Sequence, residues 1–108
     1  MIEKDFLELS EKELLNLADF IENNDRNSVF DVEYSDGILT IDVFDNNKTY
    51  IINKHSASQK IWLSSPISGA DYFSYDPTKK TWLNDKTEEL KTKLLSELTK
   101  NFNFNFLS

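Results

Sequence analysis

The sequence predicts an α+β fold: a two-layer α/β sandwich in which two terminal helices pack on one face of a six-stranded, mainly antiparallel sheet. Three observations predict it. The first twenty-odd residues carry apolar side chains at helical spacing, six short strand signals separated by turn residues follow, and a leucine-spaced helix comes near the end. The 108 residues suffice for one domain, residues 1–108, with a single core. Eight Phe, four Tyr and two Trp supply bulk for that core, and only two Gly and two Pro argue against a disordered chain.

Residues 4–23 read as the first helix. At about 100° per residue, Phe6, Leu9, Leu14, Leu17, Phe20 and Ile21 share one arc, while Glu8, Glu11, Asp19 and Glu22 share the opposite one. Two residues break the pattern: Glu13 falls in the apolar arc, where a snorkelling carboxylate at the end of the sheet is expected, and Leu15 falls in the acidic arc. The run Asn23-Asn24-Asp25-Arg26-Asn27-Ser28 ends the helix. Phe30, Val32 and Tyr34 then alternate with Asp31 and Glu33 as a half-buried strand, and Asp36-Gly37 signals a tight hairpin. Further strands are expected at Ile38 to Phe44, Lys48 to Asn53, Lys60 to Ser64, Asp71 to Tyr75 and Thr81 to Leu83. Asp85 is expected to cap the last helix, with Glu88 in the capping-box position. Glu88 and Glu89 are expected in its first turn and Lys100 in its last, over a stripe of Leu90, Leu94, Leu95, Leu98 and Phe102. The tail Asn101 to Phe106 alternates with period two and reads as an extended segment.

Charge and composition narrow the function classes. Residues 1–33 hold ten acids and three bases, so the whole net charge of −7 sits in the first third. Phosphate would repel such a domain, which disfavours nucleic acid. No window reaches the roughly 18 apolar residues of a membrane span, and the acidic N-terminus is unlike a secretory or transit peptide, so a cytoplasmic protein is expected. The absence of cysteine removes disulfides, thiolate metal sites and cysteine nucleophiles, and the single histidine, His55, rules out two-histidine motifs within one chain.

Three features could carry chemistry. Glu8, Glu11, Asp19, Glu22, Asp25, Asp31 and Glu33 form one acidic surface if the first strand lies beside the helix end. Such a surface suits a hard, labile cation, a basic protein patch, or simply solvent. If Ile61 and Leu63 face the core, Trp62 faces the bare side of the sheet, either as a hot spot for a partner or as an edge residue half-covered by neighbours. His55 is either a solvated loop residue or a polar contact beside Trp62.

Several stretches resemble the frataxin family, and its bacterial CyaY-type branch most. They are Asp31-Val-Glu-Tyr-Ser-Asp-Gly-Ile-Leu-Thr-Ile, Asn53-Lys-His-Ser-Ala-Ser-Gln-Lys-Ile-Trp-Leu-Ser-Ser-Pro-Ile-Ser-Gly69, Trp82-Leu-Asn-Asp, and the leucine-rich helix. The resemblance runs from Phe6 through Leu98. His55, Ala57 and Lys60 depart from the family's usual Gln, Pro and Gln, and Ala18, Asn23, Asn27 and Val29 stand where bacterial relatives often have acids. The resemblance implies a non-enzymatic accessory and regulatory protein of iron–sulfur cluster assembly. It implies weak binding of iron (Fe²⁺ or Fe³⁺) by Asp19, Glu22, Asp25, Asp31 and Glu33, with no organic cofactor and no catalytic residues. It implies docking on a cysteine desulfurase through the same ridge of Asp19, Glu22, Asp25, Asp31 and Glu33, with Glu8 and Glu11 as further partner contacts, and on the cluster scaffold protein through Trp62, Asn53, His55 and Lys60. A monomer is expected, with iron-dependent oligomers as a further expectation. The alternative is an iron store, ferroxidase or iron donor, although no Glu-x-x-His pair exists to build a di-iron centre.

Overall fold

The computed structural model describes residues 1–102 and Phe104. In chain order the elements are α1 (Glu3–Asn24), β1 (Phe30–Ser35), β2 (Ile38–Val43), β3 (Lys48–His55), β4 (Lys60–Ser65), β5 (Gly69–Asp76), β6 (Thr81–Leu83) and α2 (Leu90–Phe102). The six strands form one sheet in sequence order, every neighbouring pair antiparallel. The predicted two-layer α+β sandwich is the observed one.

The strand pleat decides what each residue does. Leu39, Ile41, Val43, Tyr50, Ile52, Ile61, Leu63 and Phe73 point to one side, where they join Phe6, Leu14, Leu17 and Ile21 of α1 and Leu90, Leu94, Leu95 and Leu98 of α2 in one core. Both helices therefore cover the same face. Trp82 closes this core between Phe6 and Tyr75, with edge-to-face ring contacts to each. Leu9 and Phe20, expected in the core, are only partly buried; Lys91 of α2 lies over the Phe20 ring at 4.2 Å.

The β1–β2 turn requires its glycine. Asp36 and Gly37 both have positive φ, 54° and 77°, as a two-residue hairpin of this hand demands. A side chain at Gly37 would also meet Lys54, whose Cε lies 2.7 Å from where a Cβ would stand.

Four expectations are corrected. Asp85 does not cap the last helix, and Glu88 and Glu89 precede its first turn rather than occupy it. The buried Asn84 organises that approach instead: its Oδ1 accepts from the backbone N–H groups of Lys86 and Glu88, and its Nδ2 donates to Asp71 and Glu88. A side chain with both donors and acceptors can bridge the sheet to the loop, which the acceptor-only Asp85 cannot. Phe44 lies beyond β2, exposed, with its N–H bonded to the Val29 carbonyl. Glu13 is half-buried between Glu89 and Lys91, and its carboxyl is pushed above the usual range by burial and then by Glu89. Asn101 and Phe102 continue α2 rather than begin an extended tail, because Phe102 is buried edge-to-face against Tyr50. Phe104 packs on Phe30, and the rest of the expected extended tail lies outside the described residues.

Candidate functional site: an acidic helix edge and a bare aromatic sheet face

The acidic residues come from two elements. Glu8, Glu11, Asp19 and Glu22 are exposed along the solvent side of α1. The helix lies along the β1 edge of the sheet, with the Tyr34 hydroxyl donating to Glu11 at 3.4 Å. Asp31 and Glu33 alternate with the inward Phe30, Val32 and Tyr34, so they project from the opposite face of β1. The ridge therefore wraps around the edge strand instead of lying on one plane. On that far face Asp31 stands directly opposite Asp42, whose carboxylate accepts from Thr49 Oγ1 at 2.7 Å.

Asp25 belongs to the ridge by position but already has structural work. Its two carboxylate oxygens each accept a backbone N–H, from Val29 and Phe30, at 2.9 Å. This clamp joins the end of α1 to the start of β1 and satisfies donors that the turn would leave open. Among the described residues no group of three or more His, Asp or Glu converges as a metal-binding set. The five predicted iron-contact residues, Asp19, Glu22, Asp25, Asp31 and Glu33, thus form a string of separate carboxylates, not a chelating cluster.

The second surface is the sheet face left uncovered by the helices. β3 runs to His55, two residues past the predicted end, and register aligns Asn53 with Trp62 and His55 with Lys60. The four predicted sheet-side residues, Asn53, His55, Lys60 and Trp62, are brought together on this face. His55 is not a solvated loop residue. Its ring stacks on Trp62 with centroids 4.0 Å apart and planes 16° apart, and its Nδ1 lies 2.8 Å from Ser58 Oγ. Tyr72, opposite Trp62 on β5, meets the indole edge-on at 5.3 Å. Trp62 is consequently half-buried by ring neighbours on the open side of the sheet, as the half-covered reading expects, although β4 is an interior strand and not an edge. Tyr72, Ile38 and Ile51 share the face, each more than 40% exposed. They were legible in the strand alternation, because each sits an even number of residues from a solvent-facing position on its strand.

Beside these surfaces, a cleft of about 590 Å³ opens between β5, β6 and the loop before α2. Lys93 and Asp71 form an ion pair of 2.7 Å on its wall. Burial opposes ionisation of Asp71, but bonds from Lys93, Asn84 and its neighbour's N–H outweigh it and hold the carboxyl below its usual range. This cleft is knit by internal contacts between its own walls.

Helix, six antiparallel strands and helix in this order, with an acidic helix edge and an open aromatic sheet face, define a frataxin-like sandwich. The frataxin-like domain family matches residues 1–104. The iron-sulfur cluster assembly protein CyaY of Thioalkalivibrio sulfidiphilus is 35% identical over 89 residues, which is 82% of this chain and 81% of that protein. Mitochondrial frataxin of Dictyostelium discoideum is 46% identical over 57 residues, 53% of this chain and 29% of that protein. The match to the mitochondrial frataxin homolog of Schizosaccharomyces pombe likewise spans only 42% of that relative's length. Among solved structures, frataxin from Psychromonas ingrahamii superposes with a TM-score of 0.84 over 98% of this chain and 96% of that one, at 20% identity, and so supports the fold. Trimeric frataxin from Saccharomyces cerevisiae, complexed with ferrous iron, superposes with a TM-score of 0.72 over 85% of this chain and 83% of that one, at 29% identity. The chain belongs to the frataxin family, and its likeness to a bacterial CyaY spans most of both proteins.

Proposed function

We propose that this chain is a non-enzymatic accessory protein of cytoplasmic iron–sulfur cluster assembly. It docks on a cysteine desulfurase through the acidic edge of α1, and on the cluster scaffold through the Trp62 face, and it changes the rate of assembly. The observation that carries the reading is the pairing of family membership with two open surfaces of different chemistry on one rigid sandwich. The CyaY relative is named for iron–sulfur cluster assembly, which supports the same process here. Ridge carboxylates that stand apart favour weak, labile contact with iron as cargo, since hard oxygen donors without a closed coordination shell exchange ligands readily. The same exposed carboxylates suit a basic protein patch, whose attraction steers encounter and weakens with salt.

Calorimetric titration of the desulfurase with this chain tests the docking. Saturable binding that weakens with salt and disappears in the Asp19→Lys/Glu22→Lys variant is expected, with the variant's melting temperature unchanged. Asp25 is left intact in this variant because it clamps the backbone. Equal affinity for wild type and variant would remove the ridge from the mechanism.

A further inference from the structure

The acidic stripe of α1 contains one residue that neither charge nor folding explains. Positions 8, 11, 15, 19 and 22 are spaced 3, 4, 4 and 3, which keeps them within an arc of about 80° on a helix of 3.6 residues per turn. Four are carboxylates and the central one is Leu15, which stands at the middle of the arc. The row is about 21 Å long at 1.5 Å per residue, with two acids on each side of the leucine. Leu15 is 43% exposed, on a helix whose Phe6, Leu14, Leu17 and Ile21 are fully inside. It takes no part in the core, whereas a polar residue there would complete an ordinary solvated face.

We infer that Leu15 is the apolar anchor of the α1 docking surface, fitting a hollow on a protein partner flanked on both sides by Lys or Arg. The inference rests on the ridge-docking reading and names what that surface grips. An exposed apolar knob with two carboxylates on each side of it along the helix, and Lys12 beside it, has the layout of an interface hot spot, in which the rim excludes water and the centre holds the energy. Charge complementarity selects the occupant. A second copy of this helix would set carboxylates against carboxylates, and nucleic acid or an anionic membrane would be repelled by the same four groups. A basic protein groove satisfies the acids and covers the leucine together, in the manner of an amphipathic helix laid into a groove. The carboxylates would then govern encounter and the leucine residence.

The test is calorimetry of the full chain against the cysteine desulfurase at low and moderate salt, with melting temperature measured in parallel. Leu15→Ala is expected to weaken binding about tenfold. It should keep the wild-type salt dependence and melting temperature, since alanine suits an exposed helix position. Leu15→Met, which retains apolar bulk, should bind like wild type. Wild-type affinity in Leu15→Ala, alongside lost binding in Asp19→Lys/Glu22→Lys, would overturn the anchor and leave ridge docking standing. Wild-type affinity in both variants would overturn ridge docking and the anchor with it. A clear fall in melting temperature in Leu15→Ala would make Leu15 a structural residue and overturn the inference.

Discussion

Asp25 and Trp62 show how much structural work single residues of the two candidate surfaces carry. Both oxygens of Asp25 are occupied by the N–H groups of Val29 and Phe30. Replacing it with alanine leaves those donors without their partner and should cost about 1–2 kcal/mol, with asparagine milder because it keeps one acceptor. Urea unfolding of the two variants checks the order. Trp62 spends part of its surface on His55 and Tyr72. Trp62→Ala should therefore cost about 1 kcal/mol in stability through lost ring contacts. It should weaken scaffold binding by more than that, as read by melting temperature and titration together. A large fall in melting temperature with intact scaffold binding would make the residue structural. His55 carries the same lesson. In the sequence it lies two residues past the expected end of β3, with a contact beside Trp62 as one of two readings, and the extension of β3 to His55 makes that contact a ring stack.

At the scale of elements, the launch of α2 and its crossing with α1 are the most informative. Asn84 is 7% exposed, and its side chain makes four hydrogen bonds that tie the end of β6 to the loop and to Asp71. Asn84→Ala should destabilise by about 1–2 kcal/mol, because the backbone donors of Lys86 and Glu88 lose their acceptor and the bridge to Asp71 is lost. The sequence reading placed this role on the next residue, Asp85, since a Ser, Thr, Asp or Asn followed three positions later by Glu is the usual signature. The signature cannot tell which of two adjacent polar residues faces inward; sheet register decides that.

Glu13 gives the helix crossing a pH response. Burial first, then the charge of Glu89, raises its carboxyl above the ordinary value of 4.5, against the attraction of Lys91. Protonation is then easier in the folded chain than in the unfolded one. Its contribution favours folding fully below pH 4.5 and is lost as pH rises through the higher folded value. Glu89 runs the other way: hydroxyls of Thr81 and Thr92 lower its carboxyl below 4.5, so its contribution is present above that value and lost as pH falls further. Glu13→Gln should be more stable than wild type at neutral pH, with the difference shrinking toward pH 4.5. Denaturation midpoints across that range test it. An unchanged pH profile would mean that Glu13 is solvated as an ordinary surface acid.

For the whole molecule, the layered architecture was readable because the strands largely alternate and both helices carry apolar stripes, interrupted on α1 only by Glu13 and Leu15, as with Ile61 and Leu63 against Trp62, or Leu90, Leu94 and Leu98 on α2. The residue types of the candidate site were readable too, since clustered acids and an out-of-phase Trp stand out against such a pattern. Spatial grouping was not. Asp31 and Glu33 fall on the far side of β1 from the helix, so the continuous ridge of the sequence wraps around an edge. Likewise Tyr72 and Ile38 join Trp62 only through a register linking four strands. The resulting body is a sandwich with two chemically distinct outer surfaces, an acidic edge and an aromatic sheet face.

That arrangement is tested most directly by turnover of the cysteine desulfurase with its scaffold, iron and cysteine, measured with and without this chain. Alanine release and cluster formation are followed together, and Asp19→Lys/Glu22→Lys serves as the control. A dose-dependent change in both rates is expected, and the control variant should not produce it. Rates unaltered by an excess of the wild-type chain, or altered equally by the variant, would contradict that expectation.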